Sequence, residues 1–248
     1  MKAVKTCYII LLLCSPLIIQ AQETITFKAE DGILITAAVY MTHPTTAPFI
    51  VLFHQANWSR GEYQEIAPKL NALGYNCLAI DQRSGGAVNG IPNKTKVNAE
   101  KAMKGTQYID ALPDMNAAII HARTNYAEDK LIIWGSSYSS ALVLKIAGDQ
   151  PDAIDGVLAF SPGEYFGRFD KPADFITSSA QHITKPVFIT SGKDEKASWW
   201  NIYQAIGSEN KNYFLPETSG NHGSRALWEK FNDSKDYWKA VKEFLEII

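Results

Sequence analysis

The chain has 248 residues, 46% of them hydrophobic and 20% charged, with a formal net charge of −2. That balance is ordinary for a folded globular protein and excludes disordered, collagen-like and coiled-coil chains. With 24 Lys+Arg against 26 Asp+Glu there is no basic stripe, so no nucleic-acid partner is expected. Three cysteines are too few for a disulfide framework.

The apolar residues are concentrated at the start. Lys2 and Lys5 precede a nearly unbroken apolar run from Tyr8 to Ile19, and the small residue Ala21 follows. A positive segment, a short apolar core and a small residue spell a secretory signal peptide, residues 1–21, cleaved near Ala21. The run is too short for the ~20 residues of a spanning helix, so the mature protein is expected to be exported, periplasmic or secreted, without a stable membrane span. Lipidation at Cys14 is the alternative, but Leu12 and Leu13 before it are not the small residues such a signal needs. The mature chain, residues 22–248, then carries a net charge of −4, because Lys2 and Lys5 leave with the signal. It keeps one thiol, Cys77, read as a small buried apolar residue.

Ile25–Ala29 and Ile33–Tyr40 alternate as strands, and Asp31-Gly32 between them is a hairpin turn signal. Pro48–Phe53 reads as a buried strand. Tyr63, Ile66, Leu70 and Leu73 then step at helical spacing to a stop at Gly74. Tyr75–Ile80 is the next strand, followed by a polar, Gly-rich excursion from Ser84 to about Lys104. A helix around Ile109–Ala122, interrupted near Pro113, leads to the strand Lys130–Trp134. The helix Ser139–Ala147 leads to Ile154–Phe160. After a loop come Pro186–Thr190, a helix with Trp199, Trp200 and Ile202, the strand Asn212–Leu215, and an amphipathic terminal helix with Trp238, Val241, Leu245 and Ile248. The spacing predicts an α/β fold: about eight strands in a mostly parallel sheet with an antiparallel start and helices on both faces. No linker, charge block or repeat divides it, so one domain is expected.

Gly135-Ser136-Ser137-Tyr138-Ser139 falls between a strand and a helix. Gly-x-Ser-x-Gly in that setting makes a sharp turn that lifts the middle serine above the sheet edge. Here Ser139 replaces the last glycine, and the bland alternative is a Ser-rich helix cap. A serine nucleophile needs a histidine base and a carboxylate to orient it. On such a scaffold the order is Ser, then acid, then His, each just beyond a strand. Asp194 and His222 occupy those places, and Glu195 is the alternative acid. His43, His121 and His182 read as structural or surface residues, and His54 as a positioning residue. The backbone N–H groups of Tyr138 and Gln55 are expected to form the oxyanion hole. Trp58, Phe166, Trp199 and Trp200 are candidates for substrate binding, with ordinary helix-to-sheet packing as the alternative.

Phe53-His54-Gln55, the Asp81-x-Arg83-x-Gly85 segment, the Ser137 elbow, Asp194 and His222 together resemble the α/β-hydrolase superfamily, within it the dienelactone-hydrolase-like group, over residues 25 to 247. The resemblance implies a serine hydrolase acting on an ester or similar acyl substrate. No nucleotide-binding glycine pattern and no Cys-x-x-Cys or His-Glu-x-x-His occurs, so no cofactor or metal is expected. The dienelactone hydrolases proper use a cysteine nucleophile where this chain has Ser137, so lactone hydrolysis does not carry over. Gly163–Ser179 is short for a lid, which predicts an open cleft. A non-catalytic exported binding protein on the same fold and an acyltransferase are the competing functions. Three Asn-x-Ser/Thr tripeptides, at Asn57, Asn93 and Asn232, occur often by chance.

Overall fold

The apolar, β-branched runs become the strands of an eight-stranded sheet in a computed structural model that describes residues 22–248. The expected signal peptide, Cys14 included, lies outside the described residues. In chain order the strands are β1 (Glu23–Lys28), β2 (Leu34–Tyr40), β3 (Phe49–Phe53), β4 (Asn76–Ile80), a small hairpin of β5 (Ala87–Val88) and β6 (Ile91–Pro92), then β7 (Leu131–Ser136), β8 (Gly156–Phe160), β9 (Val187–Thr190) and β10 (Lys211–Phe214). The main sheet runs β1-β2-β4-β3-β7-β8-β9-β10. β1–β2 and β2–β4 pair antiparallel, and every later pairing is parallel.

Helices cover both faces: α1 (Ile66–Ala72), α2 (Lys94–Lys101), α3 (Leu112–Asn125), α4 (Tyr138–Asp149), a single turn α5 (Thr177–Ala180), α6 (Lys196–Ala205) and α7 (Ser234–Leu245). Both faces are therefore apolar, as a covered parallel sheet requires. Along β3 the side chains alternate between two cores, Phe49, Val51 and Phe53 in one and Ile50 and Leu52 in the other. Cys77 is wholly buried in the second core, where burial pushes its thiol up.

Two local expectations change. Pro113 does not interrupt a helix: a 3₁₀ turn over Ile109–Ala111 runs straight into α3, and Pro113 sits in its first turn, where the missing N–H has no helical partner to lose. The polar excursion after Ser84 is ordered by the β5–β6 hairpin and by α2, capped by the Asn93 side chain accepting from Lys96 N–H at 2.8 Å.

β3 is the first parallel strand; the chain next adds β4 on one side of it and β7 on the other. The loops after β3 and β7 diverge at this reversal, which leaves a crevice at the carboxyl edge of the sheet. The Ser137 elbow, the His54–Ser59 loop and the loops carrying Glu195 and His222 all open there.

Candidate active site

The elbow forms because its neighbours are small and the hydroxyls around it tie it to the ends of the adjacent strands. Ser137 has φ 58° and ψ −124°, a strained conformation for a residue with a Cβ. Its N–H donates to Phe160 O at 2.7 Å. A Cβ on Gly135 would stand 2.4 Å from Ser139 O, so only glycine fits there. Ser139, the departure from the motif, reinforces the turn. Its buried Oγ accepts from Ser136 N–H at 3.0 Å and lies 2.8 Å from Phe53 O and 2.9 Å from His54 O, tying the elbow to the end of β3.

Ser137 Oγ lies 2.8 Å from His222 Nε2, and His222 Nδ1 lies 2.7 Å from Glu195 Oε1. A carboxylate can only accept, so Nδ1 carries the proton and Nε2 is left to accept from the serine. The other oxygen, Oε2, accepts from Ser161 O–H at 2.6 Å and Gly192 N–H at 3.2 Å. Burial pushes the Glu195 carboxyl up, but the hydrogen bonds from His222 and Ser161 outweigh it and hold it below its ordinary value. Ser161 Oγ also accepts from Gly223 N–H at 2.9 Å, so one hydroxyl braces both the acid and the histidine loop.

Asp194 does not take the orienting position expected of it; Glu195 does. Residues Lys193–Glu195 form a 3₁₀ turn. Such a turn repeats every three residues, which returns Glu195 to the side of Gly192 and leaves the exposed Asp194 facing solvent.

The second correction concerns Gln55. Its N–H is already committed to Glu62 Oε2 at 2.8 Å and is not free for an oxyanion. Among the described residues, the N–H groups of Ala56 and Tyr138 have no acceptor. His54 is wholly buried and structural. Its Nε2 accepts from Gln82 N–H at 2.9 Å, which fixes the proton on Nδ1, 2.8 Å from Gln55 O, and burial lowers its basicity.

Of the four aromatic candidates, Phe166 and Trp199 are fully buried and belong to the core. Phe166 packs against Phe169 and Phe175, and Trp199 donates from Nε1 to Ser191 Oγ at 2.8 Å. Trp200 stacks on Tyr203 in an aromatic cluster with Tyr213 beside β10. Trp58 alone sits on the loop after β3, half-buried and stacked on Trp228 with centroids 5.3 Å apart. Sequence reasoning missed Tyr108 and Tyr165. Tyr108 stacks on Tyr138, the residue after the elbow serine, at 4.6 Å, and the Arg168 guanidinium lies 4.3 Å from the centre of the Tyr108 ring. Tyr165 donates to Ser161 O at 2.7 Å and so anchors the Gly163–Ser179 loop to the brace of Glu195. Neither tyrosine lies in a recognisable motif; only the assembled loops bring them here.

The Asp81-x-Arg83 segment builds the adjoining sheet edge. Asp81 Oδ2 pairs with Arg60 Nη1 at 2.6 Å, and Arg83 bridges Asp114 and Asp31. Ser84 Oγ hydrogen-bonds the Tyr138 hydroxyl.

A parallel sheet with an antiparallel start, and a serine on a strained strand-to-helix turn beside a histidine, define a hydrolase of the α/β-hydrolase fold. Residues 44–168, half of the chain, match the family described as serine aminopeptidase, S33, and the chain belongs to that family. The fold is shared with Pyrococcus furiosus esterase Pf2001 (TM-score 0.68, 18% identity, 91% of this chain and 92% of that one). It is shared equally with Est1E of Butyrivibrio proteoclasticus, solved with ferulic acid (0.67, 16%, 89% and 97%), and with the dienelactone hydrolase of Anabaena variabilis (0.67, 12%, 91% and 97%). In sequence the chain is 28% identical over 153 residues to thiohydrolase apmlB of Arthrinium phaeospermum, covering 60% of this chain and 46% of that protein, so it spans a little under half the length of that relative. Among the described residues no helix is long and apolar enough to cross a membrane.

Proposed function

We propose that the protein is an exported serine hydrolase that cleaves a small ester or thioester. The observation that supports this most is the unbroken hydrogen-bonded series from Ser137 Oγ through His222 to Glu195. Ser137 attacks the acyl carbon while His222 Nε2 takes its proton. Glu195 keeps the imidazole in the required tautomer and stabilises the cation that forms. The free N–H groups of Ala56 and Tyr138 receive the developing oxyanion. His222 returns the proton to the leaving oxygen or sulfur, and a water, activated by the same histidine, releases the acyl group from Ser137. The esterase and thiohydrolase relatives favour an acyl substrate with an oxygen or sulfur leaving group over other chemistry.

Ser139 in place of the motif's last glycine is compatible with a working elbow, because its hydroxyl supports the turn and ties it to β3. Export rests on Lys2, Lys5, the apolar run and Ala21. Mass spectrometry of the exported protein should find Gln22 or a near neighbour at its N-terminus. Purified Ser137→Ala should lose p-nitrophenyl-ester and thioester turnover; a variant that keeps wild-type turnover would sink the hydrolase assignment.

A further inference from the structure

Behind the elbow a second carboxyl group lies in the fold. Glu62 belongs to the 3₁₀ turn Arg60–Tyr63, which Ser59 caps and the Arg60–Asp81 pair anchors, and it is wholly buried. Its Oε2 accepts from Gln55 N–H at 2.8 Å and its Oε1 from Ser136 O–H at 2.7 Å. Ser136 Oγ in turn accepts from Ser224 N–H at 2.8 Å. The two partners of Glu62 and Ser224 beyond them flank the three working parts: Gln55 precedes Ala56, Ser136 precedes Ser137, and Ser224 follows His222 by two residues. Gly223 between them has φ 72°, and a Cβ there would stand 2.5 Å from Ser136 Oγ, so this junction leaves no room for a side chain.

We propose that Glu62 is a second acidic positioning residue of the reaction, which as the carboxylate holds the oxyanion loop, the elbow and the histidine loop together and by its charge favours protonated His222. The inference rests on the serine-hydrolase reading above.

A neutral amide in place of Glu62 would turn a donor toward Gln55 N–H or Ser136 O–H, so only the carboxylate accepts both, at the cost of burying a charge. Two donors point at its two oxygens, an arrangement that suits the ionised form. Among the described residues no cation is within ion-pair distance of it. The ionisable groups facing it are His222 and Arg225 from the histidine segment, Tyr63 from its own turn and Tyr138 from α4. Burial pushes the Glu62 carboxyl up to about 7, against the hydrogen bonds from Ser136 and Gln55 and the charges of His222 and Arg225. The group therefore changes charge near neutrality, beside the loop that carries the catalytic histidine.

The pH profile of kcat/KM for p-nitrophenyl acetate separates charge from packing. In Glu62→Gln the acid limb should move to lower pH by about half a unit or more, with the plateau reduced on the order of tenfold. Glu62→Asp keeps the charge at a shorter reach, so its plateau should fall while its acid limb stays at the wild-type position. An acid limb unmoved in Glu62→Gln, or moved equally in Glu62→Asp, overturns the proposal, and the aspartate variant decides alone if the glutamine variant does not fold. If Ser137→Ala is inactive while the Glu62→Gln limb coincides with wild type, only this inference fails. If Ser137→Ala stays active, the hydrolase reading fails with it.

Discussion

Glu195 Oε1 stands 2.7 Å from His222 Nδ1, while the carboxylate of Asp194, one residue earlier, faces solvent. Glu195→Gln should lower kcat on the order of 10³-fold, because the imidazole loses both its tautomeric restraint and its counter-charge. Asp194→Asn should change kcat by no more than about twofold. Equal losses in the two variants would show that the acid has been assigned to the wrong residue.

Glu195 and Glu62 also bear oppositely on stability. The Glu195 carboxyl is held below its ordinary value, so its contribution is present above the usual carboxylate range and is lost as acid protonates it. Glu62, raised to about 7 by burial, binds its proton more tightly folded than unfolded. Its contribution is full below the ordinary value and is lost as pH rises to about 7, where the penalty reaches roughly 3 kcal/mol. Glu62→Gln should therefore raise the Tm at pH 8 relative to wild type, and the gap should narrow toward pH 5. A gap independent of pH would contradict the raised ionisation.

Ser139→Ala removes a hydroxyl that satisfies Ser136 N–H inside the elbow. An unpaired buried donor costs about 1–3 kcal/mol, and chemical denaturation should report a loss in that range. A neutral result would mean that the elbow does not depend on this hydroxyl.

A phosphonylated enzyme should show where the oxyanion binds. The phosphoryl oxygen is expected about 3 Å from the backbone nitrogens of Ala56 and Tyr138, with Gln55 N–H still on Glu62. A crystal structure of the adduct with that oxygen on Gln55 N would restore the sequence-based expectation.

The strands were legible because each is a short apolar run closed by a turn signal, and their alternation implied the parallel sheet. α2 was not, since Thr95 and Ala99 alone are buried among polar neighbours and its start depends on the Asn93 cap. That Ser137 and His222 come together was legible from their places after strands. Between Asp194 and Glu195, however, only the pitch of one 3₁₀ turn decides, and between Gln55 and Ala56 only the distant carboxylate of Glu62. Two of the four aromatic candidates illustrate a related point: Phe166 and Trp199 have the composition of a pocket wall but are covered on every side. Composition does not say which face of a loop meets water.

Ser137 is the proposed nucleophile. Intact-mass and peptide mass spectrometry after treatment with a fluorophosphonate test it most directly. A single adduct on the peptide carrying Ser137, absent in Ser137→Ala and slowed in His222→Ala, is the predicted result. No adduct on a folded wild-type protein, or an adduct on another residue that persists in Ser137→Ala, would contradict it.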